Sequence, residues 1–185
     1  MRVIAGEAKG RRLRAPTAGT RPMTDRIKEA LFSSLEDVDG FAVLDLYAGS
    51  GSLGLEALSR GAATAVFVEN AREAIVKLEQ NIEACGFQDR SDVQWSEVSA
   101  VLRRPAPERY ELIFVDPPYG MSVEKVQGDL ESLVMGGFLA DNGRIVVHRM
   151  TKDMRLVPLG LALSWERAFG QSNLMIYVHE EEDES

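Results

Sequence analysis

Asp116-Pro117-Pro118-Tyr119 follows directly on the apolar run Leu112-Ile113-Phe114-Val115. A buried strand that ends in an acid, two prolines and an aromatic is suited to holding a flat, amine-bearing base. Each proline fixes its own φ and offers no N–H, so the pair stiffens the loop and aims its carbonyls. The Asp116 carboxylate and the Pro117 carbonyl can then accept both protons of an exocyclic –NH2. Pro118 continues the rigid segment, and Tyr119 offers a face on which a nucleobase can stack, a contact worth roughly 1–3 kcal/mol per base. The competing explanation is a turn that merely ends a strand.

A second stretch carries chemistry of a different kind: Asp45-Leu46-Tyr47-Ala48-Gly49-Ser50-Gly51-Ser52-Leu53-Gly54. Gly49, Gly51 and Gly54 satisfy G-x-G-x-x-G, and Glu69 stands 20 residues after Gly49, so the spacing passes the dinucleotide fingerprint. An NAD-dependent oxidoreductase would leave the D-P-P-Y loop without a task. An ionised Asp45 at the mouth of the loop would also repel a pyrophosphate. It would favour a ligand that carries an ammonium and a sulfonium and no phosphate, and S-adenosylmethionine is such a ligand. Tyr47, Ala48, Gly49, Ser50 and Gly51 would cradle it, since glycines permit close backbone approach. Glu69, with Asn70 beside it, would meet the ribose hydroxyls. Glu97 and the Val98 N–H would meet the adenine.

These residues need elements to position them, and the hydrophobic period switches repeatedly between strand and helix. Thr24 can cap a helix with the stripe Ile27, Leu31 and Leu35. Strand-like runs are expected at Phe41–Tyr47, Ala65–Glu69, Val93–Trp95, Glu111–Asp116 and Gly143–His148. Helices are expected at Leu53–Ser59, Ala71–Cys85, Val98–Leu102 and Val123–Met135, the last weakened by Gly128. Leu161–Phe169 and Leu174–His179, joined by Gly170-Gln171-Ser172-Asn173, read as a hairpin. Alternating strands and helices imply right-handed crossovers and an α/β fold with a mostly parallel sheet of seven strands, helices on both faces and an antiparallel C-terminal hairpin. Both chemical stretches fall at strand carboxyl ends, where ligands bind in such sheets.

The chain has 185 residues and a net charge of −8, and the charge is unevenly placed. Residues 1–28 hold eight Lys or Arg against Glu7 and Asp25, a balance of +6 that leaves −14 for the remainder. A basic segment on an acidic body suits phosphate contact localised to one edge. The division expected is a basic N-terminal extension over 1–25, a catalytic domain over 26–179 and an acidic, disordered tail over 180–185. Cys85 is the single cysteine, so no Cys-cluster metal site can form, and its apolar setting reads as core. His148 and His179 end separate apolar runs, and nothing in the sequence pairs them. The chain shows neither a signal-peptide pattern nor a run approaching a membrane span, and is expected to be cytoplasmic, metal-free and monomeric.

Together these residues resemble the class I S-adenosylmethionine-dependent methyltransferases, a Rossmann-like group, and D-P-P-Y resembles its amino-methylating members. From Arg2 to Tyr177 the chain is similar to the RsmD family of small-subunit ribosomal RNA guanine-N2 methyltransferases. The specific part is the N-terminus: Gly6, Gly10-Arg11-Arg12-Leu13, and Arg21-Pro22-Met23-Thr24-Asp25-Arg26. Gly170-Gln171-Ser172-Asn173 also fits. The departures are Met23 where threonine is usual, Glu97 where a shorter Asp or Asn is common, and His148-Arg149 where an acid is often seen. The resemblance implies a 16S rRNA target on an assembling small subunit. It implies Asp116, Pro117, Pro118 and Tyr119 as the catalytic loop, and Arg11, Arg12, Arg14 and Arg21 as phosphate contacts. Thr24 and Asp25 would help close the pocket. The alternatives are an adenine-N6 DNA methyltransferase, for which the chain leaves little room for a target-recognition domain, a protein-glutamine methyltransferase, whose motif typically begins with Asn, and a non-catalytic ribosome-assembly factor.

Overall fold

The computed structural model describes residues 1–15 and 23–181. Helix α1 (Asp25–Leu35) starts at Thr24, whose hydroxyl accepts the Ile27 N–H at 3.3 Å. It is followed by β1 (Ala42–Leu46), α2 (Ser52–Ser59), β2 (Thr64–Glu69), α3 (Arg72–Cys85), β3 (Ser91–Trp95), α4 (Val98–Leu102), β4 (Tyr110–Val115) and α5 (Val123–Met135). The chain closes with β5 (Leu139–Met150), β6 (Leu161–Phe169) and β7 (Ser172–His179). Among the described residues no helix is long and apolar enough to cross a membrane.

The strands form one seven-stranded sheet in the order β3-β2-β1-β4-β5-β7-β6. Pairing is parallel from β3 through β5 and antiparallel for β5–β7 and β7–β6. This is the Rossmann-like α/β architecture that the alternation of periods implied. Strand order reverses between β1 and β4, so a crevice opens at their carboxyl ends. Side-chain alternation divides the interior into two cores. Val43, Phe67, Leu112, Phe114 and Val146 face α1, α2 and α3, whereas Leu44, Val68, Ile113, Val115 and Val147 face α4 and α5.

Several boundaries shift from the sequence expectation, and those of β5 and β7 have a visible structural cause. β5 begins at Leu139 rather than Gly143, because Leu139 pairs with Tyr110 before the register shifts to Leu112 opposite Arg144. The irregularity absorbs Asp141-Asn142-Gly143 within the strand. β7 begins at Ser172, so the hairpin turn is the two residues Gly170-Gln171, with Gly170 at φ 58° in the first central position, as a type II′ turn requires.

Residues 1–14 lie against α1, α2 and α3. Val3, Ala8 and Leu13 are buried in the same core as Leu31 and Leu58. The attachment is polar as well as apolar. Glu56 of α2, fully buried, accepts the Ile4 N–H at 2.9 Å, the Ala5 N–H at 3.1 Å and Arg60 Nε at 2.8 Å. Its other ion-pair partner is Lys28 Nζ at 3.3 Å, which also donates to the Arg2 carbonyl at 2.6 Å and to Ser52 Oγ at 3.1 Å. Lys28 belongs by sequence to the basic segment, yet it is wholly buried. Burial holds its pKa below the ordinary lysine value, against the opposing pull of Glu56.

Candidate active site

The carboxyl ends of β1, β2, β3 and β4 surround a cavity of about 480 Å³. Its lining brings together Asp45, Tyr47, Ala48, Gly49 and Ser50 from the β1–α2 turn, Glu69 and Asn70 from β2, Glu97 and Val98 from β3, and Asp116 to Tyr119 from β4. Of the expected cofactor residues, Gly51 stands apart from this lining. It is the residue before α2, at φ 84°, where an added Cβ would lie 2.3 Å from Leu78 Cδ1.

The turn is built by contacts that sequence spacing alone does not disclose. Asp45 is buried beneath it rather than standing at its mouth, and its Oδ2 accepts the Gly54 N–H at 3.0 Å. A Cβ on Gly54 would sit 2.4 Å from Phe67 Cε1, so only glycine lets α2 approach the sheet this closely. Burial pushes the Asp45 carboxyl well up, offset by the Gly54 N–H, and the charges of Asp116 and Glu69 add to the rise. Tyr47 adopts φ 56°, and its hydroxyl donates to Asp129 of α5, which also pairs with Lys125. Burial, then the bond to Asp129, pushes the Tyr47 phenol up, so it remains a donor.

Glu69 is fixed from three sides. Its Oε2 accepts the Gly49 N–H at 2.8 Å, and its Oε1 accepts the Asn70 and Ala71 N–H groups at 2.9 Å each. Asn70 Nδ2 donates to Glu97 Oε1 at 2.9 Å, and Trp95 Nε1 donates to the Asn70 carbonyl at 2.9 Å. Glu97 is exposed, whereas Val98 is buried at the start of α4.

At the end of β4, Asp116 is about one-third exposed, Pro117 is buried and Tyr119 stands 43% exposed at the rim. The Met121 N–H donates to the Pro118 carbonyl at 3.3 Å and closes the turn. The sequence reading missed the partner of Asp116: His148 Nδ1 lies 2.9 Å from Asp116 Oδ1. Parallel pairing of Val115 with Val147 brings positions 116 and 148 level, so only the β4–β5 register could have revealed it. Burial works against the imidazolium, but the hydrogen bond and charge of Asp116 outweigh it and raise the His148 pKa. Met1, Met23 and Lys125 also line the cavity, and no sequence signal marks them for it.

Of the residues expected to contact RNA, those that the structure describes lie outside the cavity lining. Arg11, Arg12 and Arg14 are exposed on the N-terminal segment, with the Arg14 N–H donating to Asn81 Oδ1 at 2.7 Å. Thr24 caps α1, and Asp25 pairs with Arg2 at 2.9 Å; neither is part of the cavity lining. Arg21 lies outside the described residues, as do residues 182–185 of the acidic tail. Cys85 is partly buried against the first core, and burial raises its thiol pKa.

Among the described residues, five carboxylates, Asp45, Glu69, Glu73, Glu97 and Asp116, face the cavity against Lys125 alone, which is already paired with Asp129. Such a lining fits a cationic ligand and opposes a pyrophosphate. It therefore suits a cationic ligand, such as S-adenosylmethionine, better than one that carries a pyrophosphate.

The family model described as "Conserved hypothetical protein 95" matches residues 1–178. The chain is 35% identical over 188 residues to ribosomal RNA small subunit methyltransferase D of Escherichia coli K12, covering 100% of this chain and 93% of that protein. It is 33% identical over 182 residues to the candidate rRNA methyltransferase YlbH of Bacillus subtilis, covering 96% and 98% respectively. The solved structure of the candidate methyltransferase yhhF from Escherichia coli superposes with a TM-score of 0.86 at 31% identity, over 98% of this chain and 99% of that one.

Proposed function

This chain belongs to the RsmD family of small-subunit ribosomal RNA methyltransferases, and we propose that it methylates the exocyclic N2 amine of a guanine in 16S rRNA. The observation that carries this reading is that the D-P-P-Y loop and the acid-lined glycine turn open into the same cavity. S-adenosylmethionine, when bound, supplies the methyl group on a cationic sulfur. Asp45 provides charge that complements it, Glu69 meets the ribose hydroxyls, Glu97 and the Val98 N–H meet the adenine, and the backbone of Tyr47–Ser50 provides the cradle.

The N2 amine of guanine is a weak nucleophile because its lone pair is delocalised into the ring. The Asp116 carboxylate and the Pro117 carbonyl accept its two N–H bonds and favour a pyramidal nitrogen. They also stabilise the positive charge that develops on it. Fixed placement of the amine in the cavity contributes a large share of the acceleration. A paired guanine cannot present N2 in this way, so the target is unpaired or flipped out, with Tyr119 at the rim as its stacking face. Arg11, Arg12, Arg14 and Arg21 would hold the RNA backbone, on a small subunit still under assembly.

Transfer of labelled methyl to unmodified small-subunit particles tests the reading, with naked RNA, DNA and protein as parallel acceptors. N2-methylguanosine in digested particle RNA is the expected product. Label in DNA would favour an adenine-N6 activity, and no label in any acceptor would favour an assembly role without catalysis. Asp116→Ala is expected to abolish turnover and leave cofactor affinity within several-fold.

A further inference from the structure

His148 and Arg149 are consecutive on β5, so their side chains leave opposite faces of the sheet. Each reaches one end of the loop 116–121. On one face His148 Nδ1 meets Asp116 Oδ1 at 2.9 Å. On the other, Arg149 Nη1 donates to the Met121 carbonyl at 3.1 Å, while its Nε stands 3.1 Å from Asp153 Oδ2. Both residues are more than nine-tenths buried, so neither can swing away.

We propose that His148 and Arg149 are positioning residues that grip the two ends of the amine-binding loop. The proposal rests on the reading of Asp116 as the acceptor for the substrate amine. An aspartate beside a cavity and one-third exposed would otherwise turn freely about its last bond. The Nδ1–H of His148 engages one oxygen and leaves Oδ2 to accept from the amine. Among the described residues His148 Nε2 is buried without a hydrogen-bond partner, and Leu174 pairs with His148 across β7. A side chain placed there for packing would carry no orphaned nitrogen, because leaving one unpaired is costly. The imidazole is therefore present for what its Nδ1 does. Arg149 fixes the far end, where the Met121 N–H already closes onto Pro118, so the loop is anchored at both termini.

The decisive comparison is between His148→Asn and His148→Leu. These two side chains have the same shape, but only Asn places an N–H where Nδ1 stands. Asn is expected to keep kcat within about threefold of the native protein, and Leu to lose about tenfold or more, with KM for the cofactor unchanged in both. A purely structural role predicts the reverse order, since Leu suits a buried position beside Leu174 better than Asn does. Leu at or above Asn would overturn the proposal. Thermal unfolding of each variant checks that it is folded. Should the Leu variant not fold, the ¹⁵N imidazole spectrum decides: the His148 Nδ1 resonance should move in Asp116→Ala, and an unmoved resonance overturns the contact. For Arg149→Met, amide exchange at Met121, whose N–H donates to the Pro118 carbonyl, should accelerate while that of Leu55 does not, and equal protection at Met121 would overturn the second grip. Asp116→Ala in the same turnover assay separates the two levels. If it remains active, the amine-acceptor reading fails. If it is inactive while His148→Leu is fully active, only the positioning role fails.

Discussion

The backbone N–H of Gly49 donates to Glu69 Oε2 at 2.8 Å, joining the glycine turn after β1 to the end of β2 across 20 residues of sequence. The same carboxylate receives the first two N–H groups beyond β2, so one side chain shapes the turn and the entry to α3. Glu69→Ala should weaken S-adenosylmethionine binding by about tenfold or more, since charge-assisted hydrogen bonds are each worth roughly 1.5–3 kcal/mol. Calorimetric titration checks this, and unchanged affinity would remove Glu69 from the site.

Two glycines of one turn should fail in different ways. Gly54→Ala forces a Cβ against Phe67 and Asp45 and should cost about 1–3 kcal/mol of stability, as overpacking does. Gly49 has open space around its missing Cβ but sits at φ 57°, so Gly49→Ala should cost only about 1 kcal/mol of backbone strain while impairing the cofactor cradle. Urea unfolding and cofactor titration on both variants separate the effects. Equal loss of stability in the two would contradict the assignment.

Glu56 should behave as a structural keystone for residues 1–14. Its removal leaves Lys28 as an unpaired buried cation and strips the Ile4 and Ala5 N–H groups of their acceptor. Glu56→Ala should therefore cost roughly 3–5 kcal/mol, the range for breaking one side of a buried pair. Limited proteolysis should cut first within residues 1–14. Native-like resistance there would show that apolar burial of Val3 and Leu13 suffices.

Asp45 makes stability depend on pH with a definite sign. Its folded pKa is raised above the unfolded value, so the folded state binds the proton more tightly. The stability this provides is full below the unfolded pKa and is lost as pH rises through the folded pKa. At neutral pH the buried carboxylate is a burden, and Asp45→Asn should raise Tm there while weakening cofactor binding. The Tm difference between the two proteins should shrink as pH is lowered toward the ordinary carboxylate range. A difference independent of pH would rule out Asp45 as its source.

Phosphate binding by the N-terminal segment has a salt signature. Replacing Arg11, Arg12 and Arg14 by Ala should flatten the dependence of log affinity on log salt by about one unit for each of these arginines that meets a phosphate. Filter binding of small-subunit RNA between low and physiological salt measures the slope. An unchanged slope would place the RNA on another surface.

Local sequence determined the elements and the chemical stretches. The alternation of hydrophobic periods sets a parallel sheet, because each element must bury one face and its neighbours supply the cover. Gly49, Gly51 and Gly54 were legible from spacing, since the backbone turn they serve is a local object, whereas the bond from Gly49 to Glu69 spans 20 residues. D-P-P-Y was legible because prolines declare their geometry residue by residue. Tertiary structure decided the contacts between residues distant in sequence. Lys28 read as one surface charge among many, and only packing of α1 against α2 shows it buried on Glu56. Asp45 read as an acid at the mouth of the turn, and only the approach of α2 to Phe67 places it beneath. His148 had no visible partner until the register of β4 and β5 set it beside Asp116. Period and turn chemistry depend on neighbours within a few residues. Burial, ion pairing and pKa depend on which strands lie side by side, and in a sheet with parallel crossovers those strands are separated by whole helices of sequence.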